Sequence, residues 1–221
     1  MEAPASPVKP KRGYDATRRR ELARQSRERV ITAAEELFLR QGYAGTTIGS
    51  IAQGAGVSVD TIYKGFGGKP GLVRAIVDAA LLGRGPVPAE HRSDALQAGE
   101  PDPRKIIRGW GRFVMEISPR VSPITLLARE AAVSDADVRA LVEEIDAARL
   151  RRMTQNAQRL AAAGHLRAGV SVPEAADVLW TYSSAELYDL LVVRRGMSIP
   201  RYGAFVADAM IAALLPPEPQ E

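Results

Sequence analysis

The polar side chains with the most informative spacing lie between Thr46 and Lys69, in a stretch that glycines break into short pieces. Two segments with apolar faces, Ile48 to Ala55 and Val59 to Gly65, flank a tight turn at Gly56. This spacing predicts a helix-turn-helix, with a longer helix packed behind it. Because a helix this short is unstable alone, its neighbours must hold it, and its exposed first turn suits a major groove of DNA. The alternative is a small helical packing module without a ligand.

Helix caps and apolar faces define this motif locally. Thr46 or Thr47 can cap the first short helix, and Ser58 can cap the second. In the second helix Ile62 and Phe66 are expected in the core, while the polar and small residues on the other side are expected to be exposed. These exposed residues are Val59, Asp60 and Thr61.

The rest of the chain also has helical periodicity, and no convincing alternating strand is present, so the predicted fold class is all-α. A helix with apolar residues at three- and four-residue steps runs from about Thr17 to Arg40 and ends at Gly42 as a left-handed cap. Lys69 and Pro70 open a fourth helix. Further helices are predicted at about Pro103–Ile117, Ser122–Ala132, Asp135–Ala163 (capped by Ser134), Pro173–Arg195 and Ser198–Leu215.

Composition divides the chain into five parts. Residues 1–16 are predicted to be a disordered basic arm and residues 17–83 a helix-turn-helix DNA-binding domain. The segment 84–102 is rich in glycine and proline, so we interpret it as a linker or loop, partly helical around His91 to Ala98. Residues 103–215 are predicted to be a helical domain, and 216–221 a tail.

Charge is concentrated at the N-terminal end. Residues 1–83 carry 13 Lys/Arg and 8 Asp/Glu, whereas the remainder is close to neutral. Between Lys9 and Arg29, nine basic residues face three acidic ones. A basic block of this kind favours a polyanionic partner such as double-stranded DNA, although a solvated helix face gives a similar pattern.

Several function classes lack the residues they need. The chain has no cysteine and two histidines, so thiolate or multi-imidazole metal sites are excluded. No nucleotide-binding loop, triad or paired carboxylates stand out, and we predict no catalytic residue, no metal and no cofactor. No apolar run approaches the roughly 18 residues of a membrane span, and Met1 to Pro10 lacks the apolar core of a signal peptide. A cytoplasmic location is therefore expected.

The segment from Val30 to Leu72 resembles the DNA-binding domain of TetR-type transcription regulators. The resemblance covers about residues 24–82. It depends on a long set of fixed positions, which are Ala33-Ala34, Leu37-Phe38, Gly42-Tyr43, Thr46-Thr47, Ile51-Ala52, Ala55-Gly56-Val57-Ser58, Thr61-Ile62-Tyr63, Phe66 and Lys69. One departure is Gly65, where the family usually carries a bulky residue. The resemblance implies a dimeric repressor that a small molecule releases from a near-palindromic operator, with residues 103–215 as its helical ligand-binding and dimerisation domain. The alternative is a helix-turn-helix activator or architectural protein without an effector.

The resemblance also implies roles for single residues. Thr47, or alternatively Thr46, contacts phosphate, as do Tyr63 through its hydroxyl and Lys69 at the start of the fourth helix. The base-reading set is Val59, Asp60, Thr61 and Lys64, and Ser58 completes the predicted DNA-binding residues. Asp60 could instead cap its own helix. The arm from Lys9 to Arg29 adds phosphate or minor-groove contacts.

The predicted second domain offers bulky candidates for an unknown apolar or aromatic effector. The candidate ligand-binding residues are Trp110, Phe113, Arg149, Met153 and Trp180, although such residues are also ordinary core. On the helix from Asp135, the apolar stripe continues into Arg149, Arg152, Met153 and Asn156. This continuation marks either an exposed helix end, which we favour, or a polar corner of a cavity. The last two helices are expected to form a four-helix dimer interface, with Leu179, Leu187, Leu191, Tyr202, Phe205, Ala209 and Met210 on their apolar sides.

Overall fold

The computed structural model describes residues 13–83 and 87–217, and all regular structure in these ranges is helical. The predicted all-α class is thus confirmed. The helices are α1 (Gly13–Gly45), α2 (Ile48–Ala55), α3 (Val59–Phe66), α4 (Lys69–Leu82), α5 (Ala89–Gly99), α6 (Pro103–Ala131), α7 (Ala136–Ala162), α8 (Val172–Tyr182), α9 (Ala185–Tyr188) with a π-helical continuation (Asp189–Arg194), and α10 (Ile199–Leu214).

The first helix starts earlier than the sequence pattern predicted. It is helical from Gly13, so the disordered arm predicted for residues 1–16 is wrong for 13–16, while residues 1–12 lie outside the described part. Near the other end, Gly42 adopts φ 74° and ψ 167°, which interrupts the helix as expected of a glycine in this region.

The described part of the predicted linker, 87–102, is mostly helix, because α5 contains the partial helix expected around His91 to Ala98 and extends beyond it at both ends. Within it, α5 packs on α6, and the indole N–H of Trp110 donates to Ser93 Oγ over 3.1 Å. The Arg92 guanidinium makes two hydrogen bonds to the Glu116 carboxylate, of 2.7 and 3.0 Å. These contacts hold the segment against the second half of the chain, which glycine and proline content could not reveal.

Helix α6 is continuous where two helices were predicted. Pro119 and Pro123 lie inside it, and each removes one backbone hydrogen bond. On either side of these prolines Ile107 and Ile124 are fully buried. Burial along the whole length therefore outweighs the local cost of the prolines.

The start of α7 and the end of α8 also differ from the prediction. Asp135, not Ser134, caps α7, because its carboxylate accepts from the backbone N–H groups of Asp137 and Val138. The single helix predicted for Pro173–Arg195 is interrupted after Tyr182. Ser184 then caps α9 by accepting from the N–H of Leu187 over 3.3 Å.

Two hydrophobic cores organise the described residues. The first joins α1–α4 to the C-terminal part of α6 and the first turns of α7, through Ile124, Ala128, Val138 and Leu141. The second lies among α6, α7, α8, the π-helical segment and α10. Helices α6 and α7 thus run from one core into the other.

Within the described ranges, no helix combines the length and the apolar character needed to cross a membrane.

Candidate nucleic-acid interface

Side-chain caps fix the geometry of α2 and α3. Thr47 Oγ1 accepts from the Ser50 N–H over 3.0 Å, and Ser50 Oγ accepts from the Thr47 N–H over 3.2 Å, which completes a capping box. Gly56 ends α2 in the left-handed conformation, with φ 65°. Ser58 then caps α3 by accepting from the Thr61 N–H over 3.2 Å. The turn between the two helices is therefore defined by local hydrogen bonds.

Helix α3 presents its polar face to solvent. Ile62 is completely buried, whereas Val59 is 41% exposed and Tyr63 53% exposed. Asp60, Thr61 and Lys64 are exposed as well. The cap of α3 is Ser58, so the alternative in which Asp60 caps its own helix is wrong. The arrangement brings the predicted base-reading set, Val59, Asp60, Thr61 and Lys64, onto one accessible surface together with Tyr63.

Thr46 is not part of this surface. It is 1% exposed, and its hydroxyl is within hydrogen-bond distance of the carbonyl oxygens of Leu37 and Gly42, at 3.1 and 2.8 Å. Phosphate contact by Thr46 is therefore excluded in this conformation. Thr47 is exposed and caps α2, so of the two threonines it is the one available to DNA.

Lys69 also departs from its expected role. Its ammonium donates to the carbonyl oxygens of Tyr43 and Thr46, at 2.7 and 3.2 Å, and lies 4.1 Å from the centre of the Tyr43 ring. Burial lowers the pKa of Lys69, and nearby Asp135 acts in the opposite direction. The side chain thus ties α4 to the loop after α1, where it positions the motif instead of extending toward a phosphate.

Tyr43 extends this connection into the second half of the chain. Its hydroxyl donates to Asp135 Oδ2 over 3.3 Å, and Asp135 is the cap of α7. Burial and then the charge of Asp135 raise the pKa of Tyr43. The C-terminal end of α1 is therefore bonded directly to the start of α7.

Two arginines that the sequence placed in the basic arm hold the motif together. The Arg27 guanidinium lies 4.5 Å from the centre of the Phe66 ring and donates to the Gly65 carbonyl over 3.3 Å. Arg29 Nε donates to the Ala55 carbonyl over 3.3 Å. Both interact with carbonyls at helix C-terminal ends, where positive charge is favourable. No sequence signal identified these contacts, since they depend on how α1 crosses α2 and α3.

The first part of α1 projects beyond the motif. Its side chains from Thr17 to Arg29 are exposed apart from the half-buried Ser26, and Val30 is the first buried one. Arg24 pairs with Glu21 and Glu28 on the same helix, at 2.6 Å each. The surface of this segment carries the arginines Arg18, Arg19 and Arg20.

The candidate ligand-binding residues divide into two groups. Trp110 is buried against α5, and Phe113 stacks under Arg92 at 5.1 Å. Arg149 instead lies 4.2 Å from the centre of the Trp180 ring and donates to the Trp180 carbonyl over 2.5 Å. Met153 is half-buried beside the second core. The structure thus brings Arg149 and Trp180 together but gives Trp110 and Phe113 separate surroundings.

The polar continuation of the α7 stripe is not an exposed helix end. Asn156 is 4% exposed and accepts a hydrogen bond from Gln97 over 3.0 Å. The favoured interpretation is therefore wrong, and the stripe continues as a polar, largely buried contact with α5 and α8. Two surface grooves, of about 380 and 540 Å³, lie beside α3 and beside the end of α10, and neither is lined by the candidate ligand-binding residues.

The apolar sides of the last helices are mainly used within one protomer. Tyr202 is completely buried, and Leu179, Leu191 and Met210 are at most 8% exposed, so these four are not available to a partner. Leu187 and Ala209 are half-buried. Exposed apolar side chains remain on the π-helical segment and α10; they are Leu190, Val193 and Phe205.

Residues 30–76 match the family model described as bacterial regulatory proteins of the tetR family. A curated relative, the HTH-type transcriptional regulator TtgR of Pseudomonas putida, is 42% identical over 62 residues. This alignment covers 28% of this chain and 30% of the relative, so the match spans less than a third of the relative's length. Sequence similarity is thus concentrated in α1–α4.

Solved structures extend the likeness to the whole fold. The SmeT–triclosan complex has a TM-score of 0.68 and 22% identity, with 89% of this chain and 99% of that chain covered. NalD, titled the secondary repressor of the MexAB-OprM multidrug efflux pump in Pseudomonas aeruginosa, has a TM-score of 0.67 and 18% identity, with 87% and 97% covered.

Proposed function

We propose that this chain, a member of the TetR-type regulators, represses transcription by binding a near-palindromic DNA operator as a homodimer. The observation that carries the proposal is the accessible polar face of α3, opposite the fully buried Ile62. A short helix held by caps and core, with its first turn exposed, has the geometry for reading a major groove.

Within this interface the side chains take two kinds of role. Thr47 and Tyr63 contact phosphates, and Ser58, at the start of α3, lies where its backbone also faces the duplex. Val59 packs on a thymine methyl, Asp60 accepts from cytosine N4, and Lys64 reaches guanine. The hydroxyl groups of Thr61 and Ser58 are hydrogen-bonded to each other over 2.8 Å, and Thr61 can still contact a base edge. Lys69 acts indirectly, because its bonds to the Tyr43 and Thr46 carbonyls position the motif.

The projecting part of α1 adds phosphate contacts. Since it is helical from Gly13, the described part follows the DNA backbone and does not enter a minor groove as an extended arm. Arg18, Arg19 and Arg20 carry its charge toward the duplex, while Arg27 and Arg29 remain bonded to the motif.

The test separates phosphate contacts from base contacts. Tyr63→Phe should weaken binding to every duplex by about 1 kcal/mol, because one hydrogen bond to phosphate is lost. Asp60→Asn should instead change the preferred base, since an amide can also donate. Selection of bound sequences from random duplexes, followed by gel shifts across a salt series, measures both effects and gives the half-site spacing.

Val133→Thr, at an 82% exposed position between α6 and α7, is the matched control and should change neither affinity nor preference. Equal affinity for all duplexes, or a flat response to salt, would contradict the proposed function. An unchanged base preference in Asp60→Asn would remove only the base-reading role of Asp60.

Dimerisation is proposed to use the exposed apolar side chains near the C-terminal end. Phe205 is 42% exposed, Leu190 55% and Val193 63%, and the π-helical segment packs against α10. Phe205→Asp should give monomers in light scattering and abolish specific operator binding, because a buried unpaired carboxylate opposes association. Val133→Asp makes the same change from an apolar to a charged side chain at a position remote in sequence from this face, so this variant should stay dimeric. A dimeric Phe205→Asp protein would place the interface elsewhere.

We also infer that a small molecule controls operator binding. The inference is supported by the way in which α6 and α7 connect the two cores, because both helices contribute to the second core and also to the core beneath α2 and α3. A ligand that prefers one arrangement of these helices therefore shifts the motif. A solved relative of the fold is titled as a complex with triclosan, which is a property of that protein and here only illustrates the class of control.

A further inference from the structure

A cluster of buried hydrogen-bond donors lies where α8 ends against α6 and α7. In the described residues, five buried side-chain atoms lack a hydrogen-bond partner, and three of them are N–H donors of this cluster. These three are Arg129 Nε, Arg149 Nη2 and Trp180 Nε1. A buried donor without a partner lowers the stability of the folded state. Three such donors at one place therefore indicate an acceptor that the chain itself does not supply.

The geometry holds these donors close together. Arg149 stacks on the Trp180 ring at 4.2 Å, and its Nη1 donates to the Trp180 carbonyl and to Ser183 Oγ. Arg149 Nη2 lies 3.8 Å from Asp146, which also accepts from Arg129 Nη2 at 2.9 and 3.1 Å. The two guanidinium groups therefore share one carboxylate.

The charge balance of the cluster is positive on its inner side. Asp146 is the shared acid, and the second acid, Glu186, pairs with Arg129 from the rim, where its side chain is 50% exposed. The Arg149 side chain is only 20% exposed. Burial lowers the pKa of Arg149 to about 10, with Asp146 acting in the opposite direction and Arg129 in the same one. Without Glu186, two guanidinium groups would face a single carboxylate.

We propose that this cluster, formed by Arg129, Asp146, Arg149, Trp180 and Glu186, binds the carboxylate of a small organic monoanion. The carboxylate takes the place of Glu186 on Arg129 and accepts from Arg149 Nη2 and Trp180 Nε1. One surplus positive charge matches a monocarboxylate better than a doubly charged phosphate, and the cluster's unpartnered atoms are all donors, which a carboxylate satisfies as an acceptor. Only the regulatory meaning of the site rests on the proposed function; binding itself does not.

Occupation of this site acts on the helices that carry the proposed dimer face. Glu186 belongs to the four-residue helix α9, which continues directly into the π-helical segment with Leu190 and Val193. When the ligand displaces Glu186, α9 loses its ion pair with α6. The anion thus couples to the position of the segment that bears the exposed apolar side chains.

The two tryptophans supply the measurement. In protein labelled with ¹⁵N-tryptophan, the indole N–H of Trp180 should shift downfield and saturate on titration with acetate, benzoate or 2-naphthoate. The indole of Trp110 already donates to Ser93, so its signal is an internal reference that should stay in place. The neutral isostere 2-naphthamide should leave both signals unmoved.

Two substitutions should act in opposite directions. Arg149→Gln should weaken carboxylate binding about 10- to 100-fold, because a charge-assisted bond is removed. Glu186→Gln, at the half-exposed rim, should tighten it several-fold, since the competing carboxylate is gone. Arg194→Gln, which removes an exposed arginine paired with Asp189, is the control and should leave affinity unchanged.

A Trp180 signal unmoved by all three carboxylates up to their solubility limits would overturn the proposal, and would mean that water satisfies these donors. Equal binding of amide and carboxylate, or weaker binding in Glu186→Gln, would also overturn it. Operator binding is measured separately on the ligand-free protein. A protein that binds carboxylates but no operator would therefore contradict the proposed function and leave this site intact.

Discussion

Ile124→Ala should lower the free energy of unfolding by about 2–5 kcal/mol, the range for removing a fully buried branched side chain, and should loosen the helix-turn-helix. Ile124 belongs to α6 but is completely buried in the first core, among residues of α1–α4. The cavity therefore opens beneath the helix-turn-helix although the substitution lies about sixty residues away in sequence. Hydrogen exchange should show faster exchange of the amides in α2 and α3.

Leu179→Ala is the matched control. Leu179 is equally inaccessible, at 1% exposed, but lies in the second core. Its loss should speed exchange first in α8 and α10 and leave α2 and α3 better protected than in Ile124→Ala. If both substitutions loosened α2 and α3 equally, or if Ile124→Ala left them unchanged, the two cores would not be distinct as described.

Gly111→Val should destabilise the second core by about 3 kcal/mol, at the upper end of overpacking costs. Helices α6 and α10 lie close together at Gly111 and Gly203. A Cβ at Gly111 would lie 2.6 Å from the Gly203 carbonyl oxygen and 3.0 Å from the Cβ of Ala207. Because a backbone atom is in the way, a rotamer change cannot relieve the clash, and the two helices must separate. Thermal and urea unfolding measure the loss.

Gly65→Ala also adds a Cβ to a helical glycine, but here we expect the free energy of unfolding to increase. Gly65 lies in α3, where an added Cβ would have no described atom within 4 Å, and its φ is not in the positive range. Alanine there should stabilise the protein by about 0.5–1 kcal/mol, because it lowers the entropy of the unfolded chain. A stabilising Gly111→Val would contradict the close helix approach.

The helix-turn-helix was predictable because its signals are local. Ser58 as a cap, Gly56 in the turn and Ile62 as core follow from residue types at short spacing, and the boundaries of α3 differ from the prediction by one residue. The continuous α6 was not predictable in the same way. A proline destabilises only its own turn of the helix. The burial that outweighs this local cost comes from packing against helices distant in sequence.

Three side chains have surroundings that differ from the predicted ones, and the physical reason is similar for each. Thr46 and Lys69 have the chemistry for a phosphate contact, but each turns back to backbone carbonyls supplied by the end of α1. Arg149 was expected on an exposed helix end, yet it stacks on Trp180 of α8. In each case the side chain is polar or charged, as the prediction required. The direction in which it points is set by a partner on another helix, which helical periodicity cannot indicate.

The projecting part of α1 has a consequence for the rate of the proposed DNA binding. From Thr17 to Ser26, before Arg27 and Arg29 contact the motif, it extends for about 15 Å at 1.5 Å per residue, with no buried side chain. If the chain binds a duplex as proposed, charges carried ahead of α3 enter the counterion atmosphere of the duplex first, so they should accelerate encounter without choosing a sequence. Salt should therefore slow association through this segment, while the lifetime of the proposed complex should depend mainly on the contacts of α3.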